Sequence, residues 1–140
     1  MGTFGDLYRA SVDDREGFWL EAAQALEWEQ APTRALDDSD PPFYCWFPDG
    51  EINVAHNALD RHVDAGRGEQ AALIYDSPVT GTQRTYTYSQ LRDEVAVFAG
   101  VLRELGVGPG DRVVIYMPMV PEAAIAMLAS ARLGAVHSVV

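Results

Sequence analysis

Apolar residues follow two different patterns along the chain. From residue 56 onward they form separate runs with clear stops. Residues 57–63 read as a short helix ended near Gly66. Residues 71–75 are an apolar run of strand length, and 84–88 alternate among β-branched, aromatic and polar types. Pro78 and Gly81 between them predict a hairpin connection over 76–83. A well-specified helix follows. Thr87 is its N-cap and Gln90, three residues on, completes a capping box. Leu91, Val95, Phe98, Leu102 and Leu105 share one narrow helical stripe, predicted to face the core. Gly106 is the expected left-handed stop, and Pro109 with Gly110 prevents continuation.

Residues 113–116 are nearly continuously apolar, the pattern of a strand covered on both faces in a parallel sheet. Pro121 suits the first turn of a helix and Glu122 its positive end. That helix is predicted over 121–133, stopped by Gly134, with a further strand over 135–140. Strand, helix, strand with these joints is a βαβ crossover, expected to be right-handed. The helix carries only Glu122 and Arg132 as charges, so it calls for cover on more than one side. The last strand reaches Val140 with no turn or cap. Open α/β sheets place ligands in loops just beyond such strand ends, so a fragment cut at the edge of a crevice is expected.

Residues 1–55 differ in character. They hold nine of the fourteen aromatic residues and all three tryptophans. One helix is legible there, with Asp14 as N-cap and Phe18, Ala22, Ala25 and Leu26 on one face. Residues 31–42 are acidic and proline-bearing and read as an extended linker. Such a segment is not expected to build a core of its own, so its aromatics should dock onto something else. The fold class predicted is α/β: a partial parallel or mixed sheet with a βαβ crossover and a β-hairpin, preceded by an aromatic-rich helical N-terminal extension. The division falls between 1–55 and 56–140.

Composition narrows the function. At 140 residues there is room for one domain, or one domain with an arm. Hydrophobic residues make up 48%, as in globular chains. Ten arginines stand against 21 acidic residues, which argues against a nucleic-acid binder. There is no lysine, so Schiff-base chemistry and lysine-based phosphate binding are excluded from these residues. The single Cys45 can form neither an internal disulfide nor a thiolate metal site. It is expected as a half-buried small hydrophobe beside Trp46, in a reducing compartment. Residues 1–17 are acidic and hold no apolar run of signal-peptide length. Residues 113–131 are too broken by Pro118, Pro121 and Glu122 for a membrane span. The expectation is a cytoplasmic protein with no membrane partner.

Candidate chemistry is sparse. The glycines at 106, 108 and 110 follow a helix and precede a strand, the reverse of a dinucleotide-binding loop. His56 and His62, six apart, do not share a helix face as paired zinc ligands do, and no metal site is expected. His137 lies near the carboxyl end of the last strand and reads as a satisfied core histidine. Ser138 beside it has no neighbouring base. Met117, Met119 and Met127 read as core filling, although the turn from Met117 to Pro121 sits where a crevice would open. Met117, Pro118, His137 and Ser138 are therefore the candidates for lining a crevice. Acidic residues 37, 38 and 40 read as a solvated face. No catalytic residue is assigned.

The order of motifs resembles the N-terminal portion of the acyl-CoA synthetases that form an acyl-adenylate, in their acetate and propionate branch. The FW pair at 18–19, WFPDG at 46–50 and NALDRH at 57–62 resemble that branch's N-terminal extension and its bridge into the large domain. TYSQL at 87–91 is similar to the first core motif of the adenylate-forming superfamily. YMPMVPEAA at 116–124 and ARLGAVHSVV at 131–140 are similar to the next strand, helix and strand of the acetyl- and propionyl-CoA synthetases. DSPVTGT at 76–82 looks more like the propionate enzymes. The resemblance implies a two-step ligase using ATP, Mg²⁺ and CoA. A short carboxylate, propionate or acetate, becomes an acyl-adenylate with release of pyrophosphate, and CoA then displaces AMP. Residues 56–140 would be the first part of the large AMP-binding domain. The resemblance also implies that the CoA-contacting glycines come directly after Val140, so no cofactor-binding residue carries over. These residues alone are expected to be inactive scaffold and to self-associate through exposed apolar surface. The alternative is a free-standing α/β interaction module with an aromatic docking arm.

Overall fold

A computed structural model describes residues 2–140. The chain divides into two compact units, Met1–Ile52 and Asn53–Val140.

The first unit opens with two helices, α1 (Phe4–Asp13) and α2 (Arg15–Ala23). Thr3 caps α1 through a full capping box with Asp6, and the Asp14 carboxylate accepts from the Gly17 amide at the start of α2. Helix α1 was not expected, although Phe4, Leu7, Tyr8 and Val12 share one face at helical spacing; that face is exposed. Ala25 and Leu26 lie beyond the end of α2. The segment expected as a linker is partly structured. Ala35 is fully buried, and β1 (Leu36–Asp37) pairs antiparallel with β2 (Cys45–Trp46). The aromatics of this unit pack on one another. Phe18 meets Trp19 edge-on at 5.2 Å, Trp19 meets Trp46 at 5.5 Å, and Trp28 meets Phe47 at 5.4 Å. Trp28 Nε1 donates to the Ala23 carbonyl at 2.8 Å, so its one polar atom is satisfied. Cys45 is exposed, not half-buried, because β2 is a two-residue strand with both side chains open to solvent. The acidic stretch is not merely solvated: Asp37 accepts from the Ser39 amide, and Asp38 lies 3.8 Å from Arg15.

Asp49 organises the loop that follows α2. Its carboxylate accepts from the Thr33 amide at 3.0 Å, from the Thr33 hydroxyl and from the Arg34 amide at 3.4 Å. The Thr33 hydroxyl bond, with the backbone donors behind it, holds this carboxyl below its ordinary 3.8.

The second unit carries the main core. Two wide, π-type helical turns, His56–Asp60 and Val63–Arg67, replace the short α-helix expected there, with Gly66 at a positive φ of 78°. Next come the antiparallel hairpin of β3 (Ala71–Ser77) and β4 (Thr82–Thr87), then α3 (Tyr88–Glu104) with the predicted Thr87–Gln90 capping box. β5 (Arg112–Ile115), α4 (Pro121–Arg132) and β6 (Val136–Val139) form the βαβ unit, in which β5 and β6 pair in parallel. The hairpin and the parallel pair are separate two-stranded sheets. Leu59, Leu91, Val95, Ala99 and Leu102 pack with Ile125 and Ala129 in one cluster. Each fully buried leucine or isoleucine contributes about 1.5–3 kcal/mol. Phe98 is half-buried at its edge, but Leu105 is 76% exposed, because the helix ends one residue earlier and the chain turns away at Gly106. β5 is covered on one face only. Ile115 is buried beside α4 while Val114 is 68% exposed, since no second layer lies over it among the described residues.

A polar clasp fixes the carboxyl end of α4. Asn53 Nδ2 donates to the Arg132 carbonyl at 3.1 Å, while its Oδ1 accepts from the amides of Ala55 and His56. Arg132 donates to both oxygens of Asp60, at 2.8 and 2.9 Å. Both partners are mostly buried.

Two outcomes follow from this geometry. Replacing Arg132 by Ala strands the Asp60 carboxylate and should cost about 1–3 kcal/mol in urea unfolding followed by circular dichroism. Asp60→Asn combined with Arg132→Gln should recover part of it, and an unchanged midpoint in Arg132→Ala would count against the clasp. For Asp49 the pKa is lower in the folded chain than in the unfolded one. Its contribution is therefore full above the ordinary 3.8 and is lost as pH falls through the lower folded value. Amide protection factors at Thr33 and Arg34 should hold down to the ordinary 3.8 and fall as pH drops through the lower folded value. In Asp49→Asn they should be low throughout.

Candidate functional site

The carboxyl end of β5, the carboxyl end of β6 and the hairpin meet at a cavity of about 320 Å³. Three local features of the sequence build it. Pro118 follows directly on the short extended stretch after β5 and helps stop the strand, so the chain turns through Met117, Met119 and Val120. Pro121 then opens α4 at its first position, where its missing N–H costs nothing. Alanines at 123 and 124 keep the first turn of α4 small and leave the space open. Leu73, Tyr75 and Asp76 of β3 form the facing wall, and Met127 and Val139 close the inner side. An adjoining opening of about 480 Å³ continues from Tyr75 and Met119 along the hairpin turn at Pro78, Val79 and Thr80.

The structure places Met117 and Pro118 in this lining. His137 and Ser138 are elsewhere: both are exposed on β6, opposite Val113 and Val114. His137 is thus not a buried core histidine, because the strand that holds it lies at the open side of a two-stranded sheet. The methionines do not act as core filling throughout. Met127 is half-buried, Met117 is 40% exposed and Met119 is 93% exposed, since the turn they occupy projects over the cavity mouth. Sequence reasoning missed the β3 wall and Val139. Period-two alternation marks those positions as strand, but only the tertiary arrangement brings β3 opposite the turn after β5.

The lining is chemically quiet. Its one carboxylate, Asp76, accepts from Gln83 Nε2 at 3.0 Å across the hairpin. No hydroxyl stands beside a base there. No group of three His, Cys, Asp or Glu could hold a metal ion among the described residues. These residues do not fit a nucleoside triphosphate or Mg²⁺, which call for clustered donors and carboxylates. The cavity can take an apolar group and can orient it, and no more. No helix of the described residues is long and apolar enough to cross a membrane.

Against this geometry the similarities to known proteins are informative. Residues 4–58 match the family described as acetyl-coenzyme A synthetase N-terminus, and residues 59–140 match the AMP-binding enzymes. The two matches stand in series along an α/β scaffold whose parallel strands end at an open crevice. The chain belongs to the AMP-binding enzyme family. Its named relatives include acyl-CoA synthetases. It is 55% identical over 135 residues to an acetyl-coenzyme A synthetase of Streptomyces coelicolor, covering 96% of this chain and 21% of that protein. An uncharacterised protein of Pseudomonas aeruginosa is 59% identical over 138 residues, covering 99% of this chain and 22% of its own length. Among solved structures, acetoacetyl-CoA synthetase from Streptomyces lividans superposes with a TM-score of 0.86 at 35% identity, over all of this chain and 22% of that one. The chain thus spans about a fifth of the length of the curated relatives it matches. The match to the N-terminal portion of an acyl-CoA synthetase expected from the motifs holds at this level.

The character of the cavity can be tested directly. Benzene should shift the methyl resonances of Met117 and Met127 at millimolar concentration, and Ala124→Phe should abolish the effect. Equal shifts in Ala124→Phe would show that no such cavity exists in solution.

Proposed function

We propose that this chain is the N-terminal scaffold of a longer ligase that activates a short-chain carboxylate. The carboxylate attacks the α-phosphate of ATP, held with Mg²⁺, giving acyl-AMP and pyrophosphate. The thiol of CoA then displaces AMP. Propionate is the favoured substrate and acetate the second, on the DSPVTGT run at 76–82. The observation that carries this reading is the consecutive match of both family regions along nearly the whole chain.

In this proposal the residues here bind no substrate. Thr87 caps α3, Gln90 completes the box, and Gly134, at a φ of 72°, stops α4 so that β6 can return beside β5. Asn53, Asp60 and Arg132 hold the carboxyl end of α4, and with it the start of β6. The phosphate-binding, metal-binding and CoA-binding groups belong to the rest of the polypeptide. We also place the enzyme in the cytoplasm, where a free thiol such as the exposed Cys45 persists. Self-association of the isolated 140 residues through Val114, Val136 and Val140 is part of the same reading.

The test is ATP–pyrophosphate exchange. The complete gene product should support exchange dependent on propionate, and more weakly on acetate. The 140-residue chain should support none. Exchange by the short chain would overturn the scaffold reading. A complete product inert with both acids would overturn the ligase reading.

A further inference from the structure

Asp49–Gly50 is the only aspartate–glycine step in the sequence. Such a step is chemically labile for a simple reason. Glycine has no Cβ to shield its nitrogen, so that nitrogen can attack the side chain of the preceding aspartate. The Gly50 nitrogen would bond to Cγ of Asp49, and a carboxyl oxygen would leave as water, taking the amide proton. Water then reopens the cyclic imide. Breaking the bond from Cγ to nitrogen restores aspartate. Breaking the bond from the main-chain carbonyl carbon to nitrogen routes the chain through Cγ and leaves isoaspartate. No reagent besides water takes part. The attack needs a neutral carboxyl, because a carboxylate is a poor electrophile. It also needs a carboxyl free to turn toward the glycine nitrogen.

The fold denies both conditions. The Asp49 carboxylate is held by the Thr33 amide at 3.0 Å, by the Thr33 hydroxyl and by the Arg34 amide at 3.4 Å. These donors favour the ionised form and keep the carboxyl below its ordinary 3.8. The nucleophile is restrained too. The Gly50 amide donates to the Phe47 carbonyl at 3.0 Å, closing a turn over 47–50 with Pro48 and Gly50 at positions that such turns favour. Phe47 enters this turn at a positive φ of 51°, rare for a bulky residue, and its own amide is fixed to the Ala35 carbonyl at 2.8 Å. Gly50 is also wedged against Trp28, since a Cβ built on it would lie 2.7 Å from the indole ring. All of these restraints lie within the first unit.

We propose that Asp49–Gly50 is a latent self-modification site, kept as aspartate by the latch that Thr33 forms on it, and that opening the latch converts the step to isoaspartate. The change is one-way for the fold. Isoaspartate adds a methylene to the main chain beside a glycine that has no room to shift against Trp28. It also displaces the Glu51 amide, which donates to the Gln30 carbonyl at 2.9 Å. The modified unit cannot rebuild the turn, so the isomer records that the latch has opened. Asp38–Ser39, another step from aspartate to a small residue in the same unit, has no part in the latch and serves as an internal reference.

The test is a long incubation of the complete gene product at mildly acid pH, beside a synthetic peptide of residues 44–55. Isoaspartate at position 49 is read in the tryptic peptide 35–61, where a peptidase that cuts before aspartate leaves the isomer uncut. It should form about tenfold or more slowly in the folded protein than in the synthetic peptide. Thr33→Val, which removes the hydroxyl, should raise the rate in the protein roughly fivefold or more. Thr33→Ser, which keeps it, should stay near the native rate. Isomerisation at Asp38, read in the same tryptic peptide, should be the same in all three proteins. Equal rates in the native protein and the synthetic peptide would overturn the proposal, as would a native rate in Thr33→Val. A parallel rise at Asp38 would overturn it in favour of general loosening. Should Thr33→Val fail to fold, Thr33→Ser decides, and a rate there equal to that of the synthetic peptide would overturn the latch.

Discussion

The close packing of α3 on α4 is the constraint on which the second unit depends. Leu91, Val95 and Leu102 reach across to Ile125, while Ala99, Ala126 and Ala129 are small enough for the two helices to approach. Ser130 is fully buried in this layer, yet its hydroxyl donates to the Ala126 carbonyl at 2.8 Å and leaves no unpaired polar atom. Once α4 is held there, the hydrogen bonds that end it at Gly134 set the direction of β6. The parallel register with β5 and the cavity at the strand ends then follow. The Asn53, Asp60 and Arg132 clasp acts at this same carboxyl end of the helix and ties it to the turns before β3.

What could be read from residue order was local. The capping box at Thr87 and Gln90, the proline at the start of α4, the glycine stops at 106 and 134, and the alternation of β3 and β4 each depend on neighbours within a few positions. The errors arose where exposure depends on distant parts of the chain. Val114, His137 and Met119 are apolar or weakly polar residues in plausible core positions, but nothing among the described residues covers them. Helix α1 carries a legible signal, a capping box at Thr3 and Asp6 and an apolar face at Phe4, Leu7, Tyr8 and Val12, so its omission from the expected elements has no physical cause. The wide helical turns around His56 and Val63 follow a pattern close to that of an α-helix, and periodicity alone does not separate the two.

The crevice illustrates the same division. Met117 and Pro118 could be nominated because a strand end followed by proline is a local signal. Their partners on β3 are some forty residues away, and only the fold unites them. The absence of lysine was the most informative compositional fact, since it removed a whole class of chemistry before any element was placed. The family match supplied what neither spacing nor geometry contains, namely the kinship of this scaffold with the AMP-binding enzymes.

The aromatic cluster of the first unit has an optical consequence. Trp19, Trp28 and Trp46 all lie in that unit, and two of them touch edge-on, whereas the second unit has tyrosines and no tryptophan. Emission excited at the red edge of the indole band therefore reports on the first unit alone. Far-ultraviolet ellipticity is weighted toward the longer helices of the second. The polypeptide carries its own pair of spectral labels, so the melting of each half can be followed separately without attaching a dye.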